Sequence, residues 1–215
     1  MISASEATAL VGVGILLTAL YLQSESFVDP LIRGIALQSL LVAGLLAGLA
    51  WTEQSIELAV LAGLTIAVRS LLIPYVLRAQ LQSFRWRVRE VRAAHRVTSH
   101  ALGAVALAIV AWFIFQETLA PIFPQPGAAL PFILLVEGLF MLATRSTTLV
   151  QVIGYLEAEN AVVYAGALFA KSFPLFVEVV VFLDVLGVVL VGIILSIQRE
   201  VTGTPEEASL SELSG

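Results

Sequence analysis

Four acidic side chains lie inside two long apolar segments that together span residues 148–198: Glu157, Glu159, Glu178 and Asp184. A carboxylate near the centre of a bilayer costs roughly 2.5–3.5 kcal/mol on insertion scales. Desolvation favours the neutral form of a carboxyl group, whereas a neighbouring arginine favours its charged form. Such a group can take up a proton and release it again. We therefore interpret these acids as candidate proton-binding groups.

The helices that must position these acids place further charges at the same depth. Glu159 lies at the centre of a predicted helix over 148–170, and Asp184 lies near the centre of one over 174–198. Glu137 and Arg69 occupy the same level in two other predicted helices. Left unpaired, this layer would cost on the order of 10 kcal/mol, so we expect its members to face one another, water or a partner subunit.

Each of the central acids has a simpler structural alternative. Glu159, together with Asn160, could serve only as a polar contact between helices, and the same holds for Asp184. Glu137 could form an ion pair with Arg69 or Arg145. The alternatives therefore leave open which of these acids exchange protons.

The three other candidates also have structural alternatives. Glu157 lies about 200° around the helix from Glu159, so it could face a partner chain. Glu178 follows Pro174 in the first turn of its helix, where an acid interacts favourably with the helix dipole. Arg69 precedes Pro74 by five residues, where a kinked or broken helix could line a cavity, and it could act there as a structural counter-ion.

The composition is that of an integral membrane protein. Hydrophobic residues make up 59% of the 215 residues and charged residues 13%, against about 25% charged residues in soluble domains. The chain has no cysteine, which excludes cysteine-ligated iron–sulfur clusters and disulfides. Its two histidines, His95 and His100, are five residues apart, off the spacing of a helical metal pair. We therefore expect no metal site and no cofactor in this chain.

Hydropathy predicts an all-α, polytopic membrane protein with about seven transmembrane helices. The predicted helices lie at 4–22, 31–51, 55–78, 100–119, 129–146, 148–170 and 174–198. The first 22 residues lack a basic leader and a small-residue cleavage site, so the first helix is expected to be retained. Gly44 and Gly48 form a G-x-x-x-G pair that allows close helix approach or ordinary small-residue packing.

The basic residues predict the orientation of the chain. Six of the eleven lie within 78–100, and the positive-inside rule places this loop in the cytoplasm. The N-terminus is then outside and the C-terminus is cytoplasmic. This reading is favoured over nucleic-acid binding, although the loop could also dock a cytoplasmic partner or anionic lipid. The uncharged loop Ala120–Ala128 separates a four-helix half (1–120) from a three-helix half (129–198), and a polar cytoplasmic tail follows (199–215).

Two motifs in the C-terminal half resemble a known family. The pattern Gly154-Tyr155-x-x-x-Glu159-Asn160, followed by Pro174-x-x-x-Glu178 and then Asp184, resembles hydrogenase-4 component E. That family comprises small membrane subunits of formate hydrogenlyase-type and related group-4 nickel–iron hydrogenase complexes. Length, hydropathy profile and the apolar N-terminal half are compatible over the whole chain, while the specific motifs cover about residues 150–190.

The C-terminal part of that family is similar to the K-type subunit of respiratory complex I. In that subunit two intramembrane glutamates on successive helices belong to the proton path, and by position they fall on Glu159 and Asp184. The second position is Asp here, and its shorter side chain changes the contact geometry. Glu178 falls in the stretch that the component E family shows as P-x-L-V-E.

The resemblance implies a cofactor-free membrane-arm subunit in the cytoplasmic membrane of a prokaryote. It would lie between antiporter-like pump subunits and a hydrogenase-like or quinone-reductase-like redox module, and other chains would carry out the redox chemistry. This chain would be a non-catalytic subunit of an oxidoreductase complex.

Two other function classes remain compatible with the sequence. One is a small subunit of a multi-subunit cation/proton antiporter, whose corresponding chain is also K-type. The other is a structural adaptor in which the buried acids only specify helix pairing. A retinal protein is disfavoured because Lys171, the only lysine, lies outside the last predicted helix. No nucleophile beside a base and no phosphate loop support a self-contained enzyme.

Overall fold

The computed structural model describes residues 4–83, 94–125, 127–145 and 147–169, together with the single positions 187, 189 and 192. Nearly all of these residues are helical, which confirms the all-α prediction for this part of the chain. The helices are α1 (Ala4–Ser24), α2 (Val28–Glu53), α3 (Ile56–Leu64), π1 (Thr65–Leu72), α4 (Ile73–Ser83), α5 (Ala94–Ile114), π2 (Phe115–Leu119), α6 (Ala129–Thr144) and α7 (Thr148–Phe169). The structure runs α3, π1 and α4 together as one long helix, and π2 continues α5.

Three helices of the described chain are long and apolar enough to cross a membrane: Val28–Glu53, Ile56–Ala79 and Thr98–Leu119. Two more apolar helices, Thr8–Ser24 and Ala129–Thr144, are shorter. Helix α7 has 22 residues and is long enough to cross a membrane, but its polar side chains lower its mean hydropathy, so it is not one of these three helices. The predicted helix 174–198 lies mostly outside the described residues, although positions 187, 189 and 192 are helical.

Helix α7 is the centre of the described bundle. It packs on α6 along most of its length and also on α2, and none of its described side chains is exposed. One apolar cluster joins α7 to α1, α2, α4 and α6 near the start of α7, and a second joins it to α1, α2, α3 and α6 further along. In contrast, most α5 side chains between 98 and 114 are exposed or half-buried.

Two glycines allow the backbones of α6 and α7 to touch. A Cβ on Gly138 would lie 2.5 Å from the amide nitrogen of Ala158, and one on Gly154 would lie 2.8 Å from that of Leu142. Neither position can accept a side chain without moving a helix. Of the two alternatives for Gly44 and Gly48, close helix approach is not found in the described chain, where no atom of a neighbouring helix lies within 4 Å of a Cβ at either residue.

The long third helix changes its hydrogen bonding just before Pro74. Proline lacks an N–H group, and its ring clashes with the carbonyl four residues earlier. The helix responds by widening into π1, and the Ile73 N–H bonds to the Val68 carbonyl, five residues back. Thr65 and Arg69 are the buried residues of π1. The sequence suggested a kinked or broken helix around Arg69, and the structure has a continuous π-helical stretch there.

Charged contacts gather at the end of the bundle where α1, α4 and α6 finish and α2 and α7 begin, which we call the arginine end. Arg78 pairs with Asp29 at 3.3 Å, and Asp29 pairs with Arg33 at 2.6 Å. Arg145 follows α6, and its Nη2 donates to the carbonyls of Gln23 at 2.7 Å and Glu25 at 3.2 Å. These carbonyls have no partner within α1, so Arg145 caps that helix.

We expect Gly154→Ala to destabilise the chain by about 1–3 kcal/mol, because the added methyl group must push α6 away from α7. Reversible unfolding of the purified protein in detergent, followed by tryptophan fluorescence, measures the change. Gly48→Ala is the matched control, since its methyl group meets open space and alanine is the better helix former. Equal stability of the two variants would show that the helix contact is loose.

Candidate functional site

Buried polar side chains lie around the middle of α7 and extend from there to the arginine end. All are at most 3% exposed, although the surrounding side chains are apolar. They are Gln23, Gln38, Ser39, Thr65, Arg69, Glu137, Arg145, Glu157, Glu159 and Asn160. Burying a polar group among apolar side chains costs free energy unless the group forms a hydrogen bond or an ion pair. The contacts of these residues therefore indicate what each of them does.

Arg69 and Glu159 form a buried ion pair between π1 and α7. Arg69 Nη2 lies 3.6 Å from Glu159 Oε2, with side chains 1% and 3% exposed. Arg69 lies near the middle of the helix 56–83, and Glu159 lies near the middle of α7. In the buried interior the guanidinium group stabilises the carboxylate. If the guanidinium group moved away, the carboxylate would bear the full free-energy cost of desolvation. The expectation that the central charges face one another is met by this pair.

Asn160 connects three helices through its side-chain amide. Its Nδ2 donates to Gln38 Oε1 and lies 3.0 Å from both that oxygen and Ser39 Oγ, on α2. Its Oδ1 accepts from Arg69 Nη1 at 3.3 Å, on π1. The Ser39 hydroxyl is also 3.3 Å from Asn160 Oδ1, so it can either donate to Asn160 or accept from it. Asn160 therefore fixes the position of Arg69 relative to its neighbour Glu159.

Glu137 and Glu157 form a second acidic group beside the α6–α7 contact. Both are fully buried, and each is adjacent in sequence to one of the touching residues, Gly138 and Ala158. Gln38 on α2 is also fully buried. Within the described part of the chain, no hydrogen bond of good geometry reaches any of the four carboxyl oxygens or Gln38 Nε2.

The structure corrects two alternatives for these acids. Glu137 pairs neither with Arg69, whose guanidinium group faces Glu159 and Asn160, nor with Arg145, which bonds to main-chain carbonyls. Arg145 stands just past α6, and its side chain reaches the carbonyls left free at the end of α1. Glu157 is buried between helices of this chain, so it does not face outward towards a partner.

Glu178 and Asp184, the other two predicted site residues, lie outside the described residues. One described position from that region meets the site, since a Cβ on Gly187 would lie 3.5 Å from both carboxyl oxygens of Glu159. The same Cβ would lie 3.5 Å from the Tyr155 ring. Glu159 on α7 therefore lies close to Arg69 on π1 and to Gly187.

The polar residues of α2 were missed by the sequence interpretation. Gln38 and Ser39 supply the partners of Asn160, and they are adjacent polar residues inside the apolar run of α2. That interruption of an apolar helix is the signal that identifies them. Gln23, near the end of α1, was also missed, and its Nε2 donates to the Glu137 carbonyl at 2.9 Å.

The described residues contain no group of three or more His, Cys, Asp or Glu side chains that could hold a metal ion. A cavity of about 240 Å³ lies at the opposite end of the bundle from the arginine end. Its lining is apolar and includes Phe115, Phe123, Pro131 and Phe169, so it presents no titratable group to a ligand.

Comparison with known proteins gives one relative. Uncharacterized protein Rv0085 of Mycobacterium tuberculosis is similar, with 27% identity over 154 residues that cover 69% of each chain. No family model matches the chain, and no solved structure matches it. The relative's name assigns no activity, so the functional argument depends on the site itself.

We expect Asn160→Ala to destabilise the protein by about 1–3 kcal/mol, because it leaves the buried Gln38 and Arg69 groups without a partner. Ser39→Ala is the graded control, since Asn160 keeps its bonds to Gln38 and Arg69 in that variant. Unfolding by denaturing detergent, followed by circular dichroism, gives both values. A loss for Asn160→Ala no larger than that for Ser39→Ala would contradict a connecting role for this amide.

Proposed function

We propose that this chain is a cofactor-free membrane-arm subunit of a multi-subunit redox complex, either a group-4 hydrogenase or a complex I-like assembly. Its intramembrane carboxylates would take part in proton translocation and coupling. The observation that carries the proposal is the Arg69–Glu159 ion pair, buried in the middle of an apolar bundle. A charge pair at this depth is expensive, and residues of this kind mark ion and proton pathways.

The pair can bind and release a proton by changing one distance. While Arg69 stays beside Glu159, the carboxylate is stabilised in its charged form. When Arg69 moves away, desolvation favours protonation, and Glu159 takes a proton from a hydrated neighbour. The return of Arg69 expels that proton. Arg69 lies on π1, and π-helical turns occur frequently at functional sites.

The further acids of the proposed path are Glu137, Glu157, Glu178 and Asp184. Asp184 precedes Gly187 by three residues, which is one turn of the predicted helix 174–198. The contact between position 187 and Glu159 supports a route between Glu159 and Asp184, as the resemblance to K-type subunits implies. Glu178 would lie nearer the start of the same predicted helix.

We infer a multi-pass protein of the cytoplasmic membrane of a prokaryote. Arg33, Arg78 and Arg145 all lie at the arginine end, where α4 ends within the arginine-rich stretch 78–100 of the sequence. By the positive-inside rule this end is cytoplasmic, and the loop Ala120–Ala128 is outside. The N-terminus would then be outside and the C-terminal tail cytoplasmic.

The proposed partners are antiporter-like and other membrane subunits, a redox module and the lipid bilayer, with no nucleic acid. The outward face of α5 exposes large apolar side chains, including Leu102, Ile109 and Phe113. Exposed apolar surface of this extent marks a membrane or protein contact. A structural adaptor remains the second candidate, because the Asn160 bonds alone would specify how α2, π1 and α7 pack.

Cysteine labelling tests the orientation of the chain. Because the chain has no native cysteine, only the introduced cysteine can react. We expect Gln125→Cys, on an exposed loop residue, to react with a membrane-impermeant maleimide in intact spheroplasts. Arg33→Cys, at a side chain 67% exposed, should react only after permeabilisation. The opposite pattern would invert the proposed topology, and labelling of both sites in intact spheroplasts would refute it.

Glu159→Gln should lower proton translocation by about tenfold or more, because the amide cannot exchange the proton that the carboxyl group carries. The assembly is purified gently through a tag on this chain and reconstituted in vesicles with a pH-sensitive dye. The co-purifying chains, identified by mass spectrometry, should include a redox module and stay unchanged in the variant. Glu117→Gln, at an exposed position, is the matched control.

Three outcomes separate the alternatives. Unchanged coupling in Glu159→Gln would remove this residue from the path. Sodium-dependent exchange by vesicles that contain no redox partner would favour the antiporter subunit. If Glu137, Glu157 and Glu159 can all be replaced by glutamine without functional loss, the chain is a structural adaptor.

A further inference from the structure

The described chain has two π-helical stretches, and each one precedes a proline. π1 ends two residues before Pro74, and π2 ends two residues before Pro121. In π2 the Ala120 N–H donates to the Phe115 carbonyl at 2.8 Å, five residues back. π1 buries Arg69 at the candidate site, whereas π2 buries Phe115 in the wall of the apolar cavity. π-helical turns occur frequently at functional sites, which makes this cavity a candidate binding site.

Aromatic rings enclose the cavity on two sides. The centroids of the Phe123 and Phe169 rings lie 4.5 Å apart, where the loop after π2 meets the end of α7. The centroids of the Phe115 and Phe132 rings lie 6.0 Å apart, where π2 meets α6. All four rings line the cavity, and Ala165 on α7 adds only a methyl group to its wall. A space of about 240 Å³ therefore remains between the rings and α7.

The cavity reaches the surface of the described bundle. Among its lining residues, Phe115 and Pro131 are buried, whereas Phe132, Val162 and Phe169 are only half-buried. The half-buried side chains form a mouth through which a ligand can enter from the side.

The chemistry of the lining selects an apolar ligand. Every lining side chain in the described part of the chain is a hydrocarbon. Apolar cavities stay dry, and an engineered one of about 150 Å³ in another protein binds benzene. The volume here is below the roughly 300–1,000 Å³ of pockets for drug-sized molecules, and no side chain offers a donor or acceptor to orient a polar group. A single flexible hydrocarbon chain meets both conditions.

The position of the cavity identifies the source of such a chain. Leu119 lines the cavity and is the last residue of Thr98–Leu119, a helix long enough to cross a membrane. The adjacent polar side chains of Gln116, Glu117 and Thr118 are exposed. In a bilayer the cavity would thus lie where the hydrocarbon region meets the headgroups. A phospholipid can insert one acyl chain there and keep its headgroup in the polar layer.

We propose that the cavity between π2, α6 and α7 binds one acyl chain of a membrane phospholipid. The acyl chain fills the space between Phe115 and Ala165 and contacts the surrounding rings. Helix α5 packs on α1 and α6, and most of its side chains are exposed or half-buried. The bound lipid adds a contact between the π2 end of this helix and α7. This binding is independent of the proposed role in proton translocation.

Photo-crosslinking of the full chain in nanodiscs tests the proposal. The nanodiscs contain phosphatidylethanolamine, a small part of which carries a diazirine within one acyl chain. Light releases dinitrogen from the diazirine, and the resulting carbene inserts into a neighbouring bond. Mass spectrometry of the digested protein should find several-fold more adducts on Phe132 and Phe169 than on Ile109, which is exposed on α5.

A variant that fills the cavity provides the matched comparison. Ala165→Leu should lower the cavity adducts by about tenfold, because the larger side chain occupies the space that the acyl chain needs. Adducts on Ile109 should not change. Ala59→Leu, the same substitution at an exposed position of α3, should keep the wild-type pattern. If Ala165→Leu folds poorly, Ala161→Val fills less of the cavity and should still lower the cavity adducts.

Three outcomes would overturn the proposal. Adducts as frequent on Ile109 as in the cavity, and unchanged in the filled variants, would show only ordinary lipid contact. Native mass spectrometry of the chain released from the membrane weighs any retained molecule, and an isoprenoid compound in place of a phospholipid would identify a different ligand. A wild type with neither cavity adducts nor a retained lipid would show that this chain fills the space itself. A retained phospholipid that is lost in Ala165→Leu and kept in Ala59→Leu would support the site.

Discussion

The cost of holding charge in an apolar interior governs the arrangement of this protein. Arg69 and Glu159 meet at 3.6 Å with almost no exposure, and each offsets part of the free-energy cost of burying the other. Asn160 accepts a hydrogen bond from Arg69 and is itself held by Gln38 and Ser39. The central place of α7 follows, because it carries Glu157, Glu159 and Asn160 and must be screened on all sides.

Helix midpoints alone put Glu137, Glu159 and Arg69 at one level, and the structure brings Arg69 and Glu159 into contact. Pro74 suggested a kinked or broken helix near Arg69, and the structure has a π-helix there. Depth follows from helix length alone, since each residue advances a helix by about 1.5 Å. The all-helical architecture followed from the apolar composition in the same way.

The rotation of each helix about its own axis could not be predicted from the sequence. Apolar and polar side chains are spread around α7 without a distinct polar face, so hydropathy gave no face from which to choose the partner of Glu137 or the surroundings of Glu157. The glycine spacing pointed to Gly44 and Gly48, but the touching residues are single glycines on separate helices, Gly138 and Gly154. Glycines on two different helices form no spacing motif within one helix, so the sequence does not reveal them. Asp184 and Glu178 stay predictions.

The glycine contact also has a mechanical consequence. With main chain against main chain, α6 and α7 cannot slide or separate without steric conflict, so they would behave as one rigid body. Glu137, Glu157 and Glu159 all belong to that body and keep their mutual spacing. Any displacement that alters the electrostatics of the acids must then come from the opposing surface, where π1 presents Arg69 and α2 presents Gln38.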